Sequence, residues 1–155
     1  MADRTLLVAA AYVALRREVA GREEVLLLLR SGTGYLDGHW ALLAGHVDPG
    51  ESVHEAAVRE SAEEAGITVR MEDLAALTVL HRFQRGGGQV EQRADFFFST
   101  RRWAGEPVVR EPSKAVAMTW FPLDELPDPV VPHERLVLAA LRDGADLPAA
   151  ISLVS

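Results

Sequence analysis

The stretch that most constrains this chain runs from Gly45 to Ile67 and reads GHVDPGESVHEAAVRESAEEAGI. Gly45, Asp48, Pro49 and Gly50 form a run that cannot be helical, with Pro-Gly as turn punctuation. Ser52 stands three residues before Glu55, the capping-box spacing that starts a helix. Gly66 stands where a C-terminal cap glycine belongs. The spacing predicts a helix over Val53 to Ala65, about four turns at ~3.6 residues per turn, entered from a tight loop.

That helix has two unlike faces. Ala57, Val58, Ala62 and Ala65 fall on one side, small enough to pack closely on a sheet, with the polar Ser61 in their midst. On another side Glu60 and Glu64 lie one turn apart with Glu63 beside them. Like charges at this spacing cost a helix about a few tenths of a kcal/mol, so the cluster calls for a cation. Carboxylate oxygens are hard ligands and suit Mg²⁺ or Mn²⁺. Glu51, just ahead of the helix, can fold back onto the same site, and Arg59 can hold a carboxylate by a bidentate pair. A solvated acidic face is the ordinary alternative, but it leaves the glycine-turn-glutamate lead-in unexplained.

The stretch resembles the Nudix box: Gly, five residues, Glu, seven residues, Arg-Glu, an aliphatic, any residue, Glu-Glu, any residue, Gly and an aliphatic. Gly45, Glu51, Arg59, Glu60, Glu63, Glu64, Gly66 and Ile67 match. Ser61 departs from the pattern, standing where the family has an aliphatic residue; it falls on the sheet side, so the departure concerns packing and not chemistry.

The remaining chain reads as strands and one further helix. Thr5 to Arg17 and Glu23 to Arg30 are near-continuous apolar runs around a turn at Gly21, as expected of paired antiparallel strands covered on both faces. Leu6 to Leu15 has the length of a signal-peptide core, but it is too short to cross a bilayer and leads directly into its partner strand. A cytoplasmic protein without a membrane partner is therefore expected. Ser31 to Gly38 is a glycine-rich loop whose Tyr35 is a candidate for contacting a base or ribose, or alternatively for capping the core. His39 to Ala44 is a short strand with Trp40 assigned to the core.

After the box helix, Leu74 to Gln84 and Gln89 to Thr100 read as strands joined by the RGGG loop, Arg85 to Gly88. This hairpin carries His81, Arg82, Arg85 and Arg93, and Arg82 and Arg93 are candidates for binding substrate anions, against the alternative of a solvated hairpin. Ala117 to Pro122 is expected to be the last strand. Pro132 to Leu141 is expected to be a helix with Leu136, Val137, Ala140 and Leu141 as its buried stripe, followed by Gly144. The tail from Asp146 to Ser155 gives no structural signal.

These elements predict an α/β (α+β) protein: a mixed sheet with a helix on each face, in one domain over residues 1–155. The resemblance implies the same αβα sandwich. A net charge of −7 argues against nucleic acid as a partner, since such proteins carry a basic face, but not against a phosphorylated small molecule beside a metal. Cysteine is absent, which excludes disulfide and thiol chemistry. A homodimer is left open.

The resemblance implies a hydrolase that cuts the pyrophosphate of a nucleoside diphosphate linked to another group. On that reading Glu60 and Glu64 are the main metal ligands and Glu63 supplies a further metal or water contact. The Ala44 carbonyl adds a ligand, Glu51 supports the site and Arg59 orients carboxylates. Glu60 is the preferred general base, although family members differ on this point. The family often adds a carboxylate from the loop ahead of its last strand, where EPSKAVAMTW leaves Glu111 as the nearby candidate. Relatives acting on ADP-ribose often carry a proline soon after the box, and Ala75 to Arg85 has none. Nucleoside triphosphates, normal or oxidised, are therefore preferred over ADP-ribose and dinucleotide polyphosphates. A non-catalytic nucleotide-binding regulator and an isomerase on the same fold are the other classes.

Overall fold

A computed structural model describes residues 3–88 and 91–155. Its chain order is β1 (Val8–Val19), β2 (Arg22–Arg30), β3 (Trp40–Ala41), β4 (Leu43–His46), α1 (Val53–Ala65), a 3₁₀ turn (Met71–Asp73), β5 (Ala75–Phe83), β6 (Arg93–Thr100), β7 (Ala115–Pro122), α2 (Pro132–Asp143) and β8 (Ala150–Val154). The main sheet path is β3-β2-β1-β6-β5-β8, with β4 also on β1 and β7 also on β2. The pairs β1–β6 and β5–β8 are parallel and the others antiparallel, so the sheet is mixed.

The β1–β2 hairpin closes through Ala20 and Gly21, both at positive φ, a two-residue turn that matches the twist of its strands. Alternation along β1 then divides the core. Ala11, Val13 and Leu15 join the cluster that holds Ala56, Ala57, Ala65 and Phe98, against α1. Ala10, Tyr12 and Ala14 join Phe97, Val137 and Leu138, against α2. Each face of the sheet thus receives one helix, and the successive phenylalanines of β6 serve both sides.

Several expectations are corrected. The expected strand His39 to Ala44 divides: Trp40 and Ala41 pair with β2, whereas Leu43 to His46 pair with β1. Leu42 lies between, and its N–H is taken by the Glu134 carboxyl at 2.6 Å. Trp40 packs against the α2-side core cluster as expected, half-buried and edge-on to Phe121. On α1 the buried stripe is Ala56, Ala57, Ser61 and Ala65, with Ala62 exposed. On α2, Leu136 is exposed and the buried positions are Glu134, Val137 and Leu138. The strand over Ala115–Pro122 is not the last, because the tail forms β8 along β5. The return strand is β6, starting at Arg93; its expected first residue, Gln89, lies outside the described residues.

Candidate active site

The site is built on the two ends of α1 and the strand before it. The capping box is complete: Ser52 Oγ accepts from the Glu55 N–H and the Glu55 carboxylate accepts from the Ser52 N–H. Gly66 closes the helix in the left-handed region at φ 69°. This local chemistry fixes the helix phase and so places Glu60 and Glu64 against β4. The Ala44 N–H donates to Glu64 Oε1 at 2.7 Å. A Cβ on Gly45 would overlap the Glu60 carboxylate, so only glycine leaves room for it there.

Arg59 binds the surrounding acids together. Its Nε and Nη2 donate to the two Glu51 oxygens at 2.7 and 2.9 Å, a bidentate pair. Nη1 donates to Glu60 at 2.8 Å and Glu63 at 3.2 Å, and Nη2 also reaches the His46 carbonyl at 2.9 Å. The Arg59 guanidinium and the Asp48 N–H hold the Glu51 carboxyl down at about 2. Burial acts oppositely on the other two acids: it raises Glu60 despite Arg59, and it raises Glu64 well above the carboxylate range despite the Ala44 N–H. Two carboxyls that burial disfavours as anions form a site that gains from a cation.

Glu60, Glu64 and Glu111 each present an oxygen within 4.8 Å of the others. Glu111 Oε1 is buried and has no hydrogen-bond partner. The loop acid is thus brought into the cluster. Glu63 is not: three residues on from Glu60 it is exposed and faces Arg59. An oxygen-only donor set with an orphaned buried oxygen fits a hard divalent cation.

A cavity of about 700 Å³ runs from Glu64, Ala44 and Gly45 across the α2 face of the sheet to Asp95 on β6 and Glu134 on α2. Tyr35 lies at its lining, 53% exposed, with the Arg30 guanidinium 5.6 Å from its ring. Arg93 also lines it and contacts His46 Nε2 at 3.1 Å. Arg82 lines it too, but is committed to an ion pair with Asp95.

The far end was missed by sequence reasoning. Asp95 and Glu134 are 1% and 3% exposed. Burial pushes the Glu134 carboxyl up to about 8, although the Leu42 N–H, Arg30 and Arg82 oppose the shift. His133 accepts or shares a hydrogen bond with Tyr12 OH at 3.2 Å. Burial, reinforced by Arg82 and Arg30, pushes His133 down to about 3 and leaves it neutral. The available signal was an acid inside runs expected to be covered on both faces, as in ADFFF, since buried acids require partners.

The NUDIX domain model matches residues 6–141. The chain belongs to the Nudix family. This Nudix chain is 48% identical over 63 residues to the asymmetrical bis(5'-nucleosyl)-tetraphosphatase of Caenorhabditis elegans, covering 41% of this chain and 44% of that protein. It is 32% identical over 132 residues to the human 8-oxo-dGDP phosphatase NUDT18, covering 84% of this chain and 38% of the relative. The chain therefore spans less than half the length of these two relatives. The crystal structure of a MutT Nudix hydrolase from Burkholderia pseudomallei superposes with a TM-score of 0.74 at 31% identity, covering 86% of this chain and 97% of that one. No helix among the described residues is long and apolar enough to cross a membrane.

Proposed function

We infer that this Nudix chain is a divalent-cation-dependent hydrolase that cleaves a nucleoside triphosphate to the monophosphate and pyrophosphate. The observation that carries the reading is the convergence of Glu60, Glu64 and Glu111, with Glu64 also lining a nucleotide-sized cavity. Glu60, Glu64 and Glu111 would hold Mg²⁺ or Mn²⁺, with the Ala44 carbonyl as a further donor. A cation held there supplies charge neutralisation for the phosphoanhydride and acidifies a water. Arg59 fixes the Glu60 carboxylate by its 2.8 Å bond and is itself anchored on Glu51. Glu60 is the preferred acceptor of the water's proton. Glu63 holds Arg59 from the solvent side. Arg93, beside His46, is positioned to meet phosphate oxygens, and Tyr35 to cover a base or ribose at the rim.

The triphosphate preference rests on the absence of proline from Ala75 to Arg85. The relative named for a dinucleotide tetraphosphate keeps a second reading in view, because its match is the higher in identity but covers only 41% of this chain. A panel of nucleoside triphosphates, ADP-ribose and dinucleotide polyphosphates with Mg²⁺, scored for phosphate and pyrophosphate, decides between them. Release of pyrophosphate from a triphosphate is expected. Turnover of ADP-ribose or dinucleotides alone would replace the substrate assignment, and full turnover in excess chelator would remove the metal reading. In parallel, Glu60→Gln should lose most turnover and show a smaller Mg²⁺-induced rise in melting temperature than the parent, while remaining at least as heat-stable without metal.

A further inference from the structure

Glu111 joins the glutamate cluster from a segment that is neither helix nor strand, so its position must be set by what that segment touches. On one side the segment is tied to the last turn of α1. The Val108 N–H donates to the Ala65 carbonyl at 3.0 Å and the Arg110 N–H to the Glu64 carbonyl at 3.1 Å. On the other side it meets the loop that follows β2. The Ser31 N–H donates to the Lys114 carbonyl at 2.9 Å, and Gly32 lies against the Ser113 carbonyl. Between these ties the Lys114 and Ala115 N–H groups both donate to the Glu111 carbonyl, at 2.9 and 3.1 Å, closing a turn directly after the acid. Glu111 Oε1 is buried without a hydrogen-bond partner, while Oε2 lies 3.5 Å from Lys114 Nζ.

Most of these ties are backbone hydrogen bonds, which nearly any residue could make. The Gly32 contact is different, because it depends on the absence of a side chain. A Cβ there would stand 2.6 Å from the Ser113 oxygen, a backbone atom with no flexible end to swing aside. Ordinary contact needs about 1 Å more. The loop itself is braced against retreat. Asp37 accepts from the Thr33 N–H at 3.1 Å and the Gly34 N–H at 2.9 Å, and Arg30 donates to the Tyr35 carbonyl at 2.9 Å. A methyl on Gly32 would therefore push the turn at Ser113, and Glu111, two residues earlier, would move with it. A misplacement of about 1 Å is enough to cost about 100-fold in function. Gly32 is also left-handed, at φ 72°, but so is Gly34 at φ 79°, where a Cβ would meet nothing within 4 Å. The two glycines share the conformational need, and of the two only Gly32 makes the contact.

We propose that Gly32 is a positioning residue for the cation site, acting through the Ser113 carbonyl to hold Glu111 against Glu60 and Glu64. The proposal rests on the reading of these three acids as cation ligands and adds what aims the third.

Mn²⁺ binding to the nucleotide-free protein, followed by electron paramagnetic resonance, tests it without turnover. Glu111→Gln should weaken Mn²⁺ binding, and Gly32→Ala should weaken it by about 10- to 100-fold. Gly34→Ala carries the same backbone strain without the contact and should bind Mn²⁺ within about twofold of the parent. Gly32→Ala added to Glu111→Gln should cost no further affinity, since both changes act on one ligand. An unchanged affinity in Gly32→Ala, an equal loss in Gly34→Ala, or additive losses in the double variant would each overturn the proposal. So would an unchanged affinity in Glu111→Gln, whether or not Gly32→Ala folds. A Gly32→Ala chain that unfolds where Gly34→Ala folds also overturns it, because the contact would then hold up the fold and not the site. All of these outcomes leave the hydrolase reading with Glu60 and Glu64 standing. Absence of Mn²⁺ binding by the parent removes the cation reading and this inference together.

Discussion

Glu134 is the group whose titration can be read most directly as stability. Its carboxyl is buried between α2 and the β3–β4 junction, accepts the Leu42 N–H at 2.6 Å, and titrates at about 8 in the fold against an ordinary 4.5. Asp95 adds to the shift, while Arg30 and Arg82 oppose it. Below pH 4.5 the group is protonated in folded and unfolded chains alike and carries no pH-dependent cost. Between pH 4.5 and 8 the unfolded chain gains by ionising and the folded chain does not. Stability should therefore fall as pH rises, by about 1.4 kcal/mol per unit for this one group. Taken to pH 8, the difference amounts to roughly 4 kcal/mol as an upper bound.

Glu134→Gln keeps the acceptor for Leu42 and removes the titration. Urea denaturation of parent and variant across pH 4 to 8 isolates the effect, because other groups cancel in the comparison. The variant should gain on the parent steadily above pH 4.5 and lead by a few kcal/mol at pH 8, about the size expected for this linkage. A constant difference across that range would show that Glu134 ionises freely in the fold and would refute the burial argument.

Gly45→Ala should leave the fold standing, because the added methyl meets the end of a flexible side chain and not backbone. It should displace the Glu60 carboxylate, lower turnover by about 100-fold or more, and abolish most of the Mg²⁺-induced rise in melting temperature. Ser61 donates to the Ala57 carbonyl at 2.8 Å within the helix and is fully buried. Ser61→Ala should change the unfolding free energy by less than about 1 kcal/mol, whereas Ser61→Leu should lose about 1–3 kcal/mol by overpacking against the sheet, both read from denaturant midpoints.

The box helix was legible in the sequence because its signals are local: the capping box, the cap glycine and the glutamate spacing all act within one or two turns. The β1–β2 hairpin was legible for the same reason, through Gly21. Strand β8 was not. It is five residues long and pairs in parallel with β5, some seventy residues earlier, so nothing in its neighbourhood specifies it. Glu111 was reachable as a loop acid, and the cluster gathers it. Asp95 and Glu134 were not singled out because neither belongs to a cluster or motif within its own element. Their roles depend on partners far along the chain: Arg82 on β5 for the first, the Leu42 N–H for the second.

These long-range partners decide how the cavity can hold a polyphosphate. Arg82, expected to bind substrate, is engaged by Asp95. Arg59 is engaged by Glu51, Glu60 and Glu63. Arg30 donates to the Tyr35 carbonyl at 2.9 Å and to Thr33 at 3.0 Å. The arginines around the site thus neutralise the protein's own acids and order its loops before any ligand arrives. Glu60, Glu64 and Glu111 would repel a phosphate chain. In a protein with a net charge of −7, a divalent cation would have to contribute to binding as well as to chemistry. Of the basic hairpin, Arg82 is thus taken up by Asp95 and Arg93 is left at the lining of the cavity, and the acidic helix is where a cation would meet the phosphates.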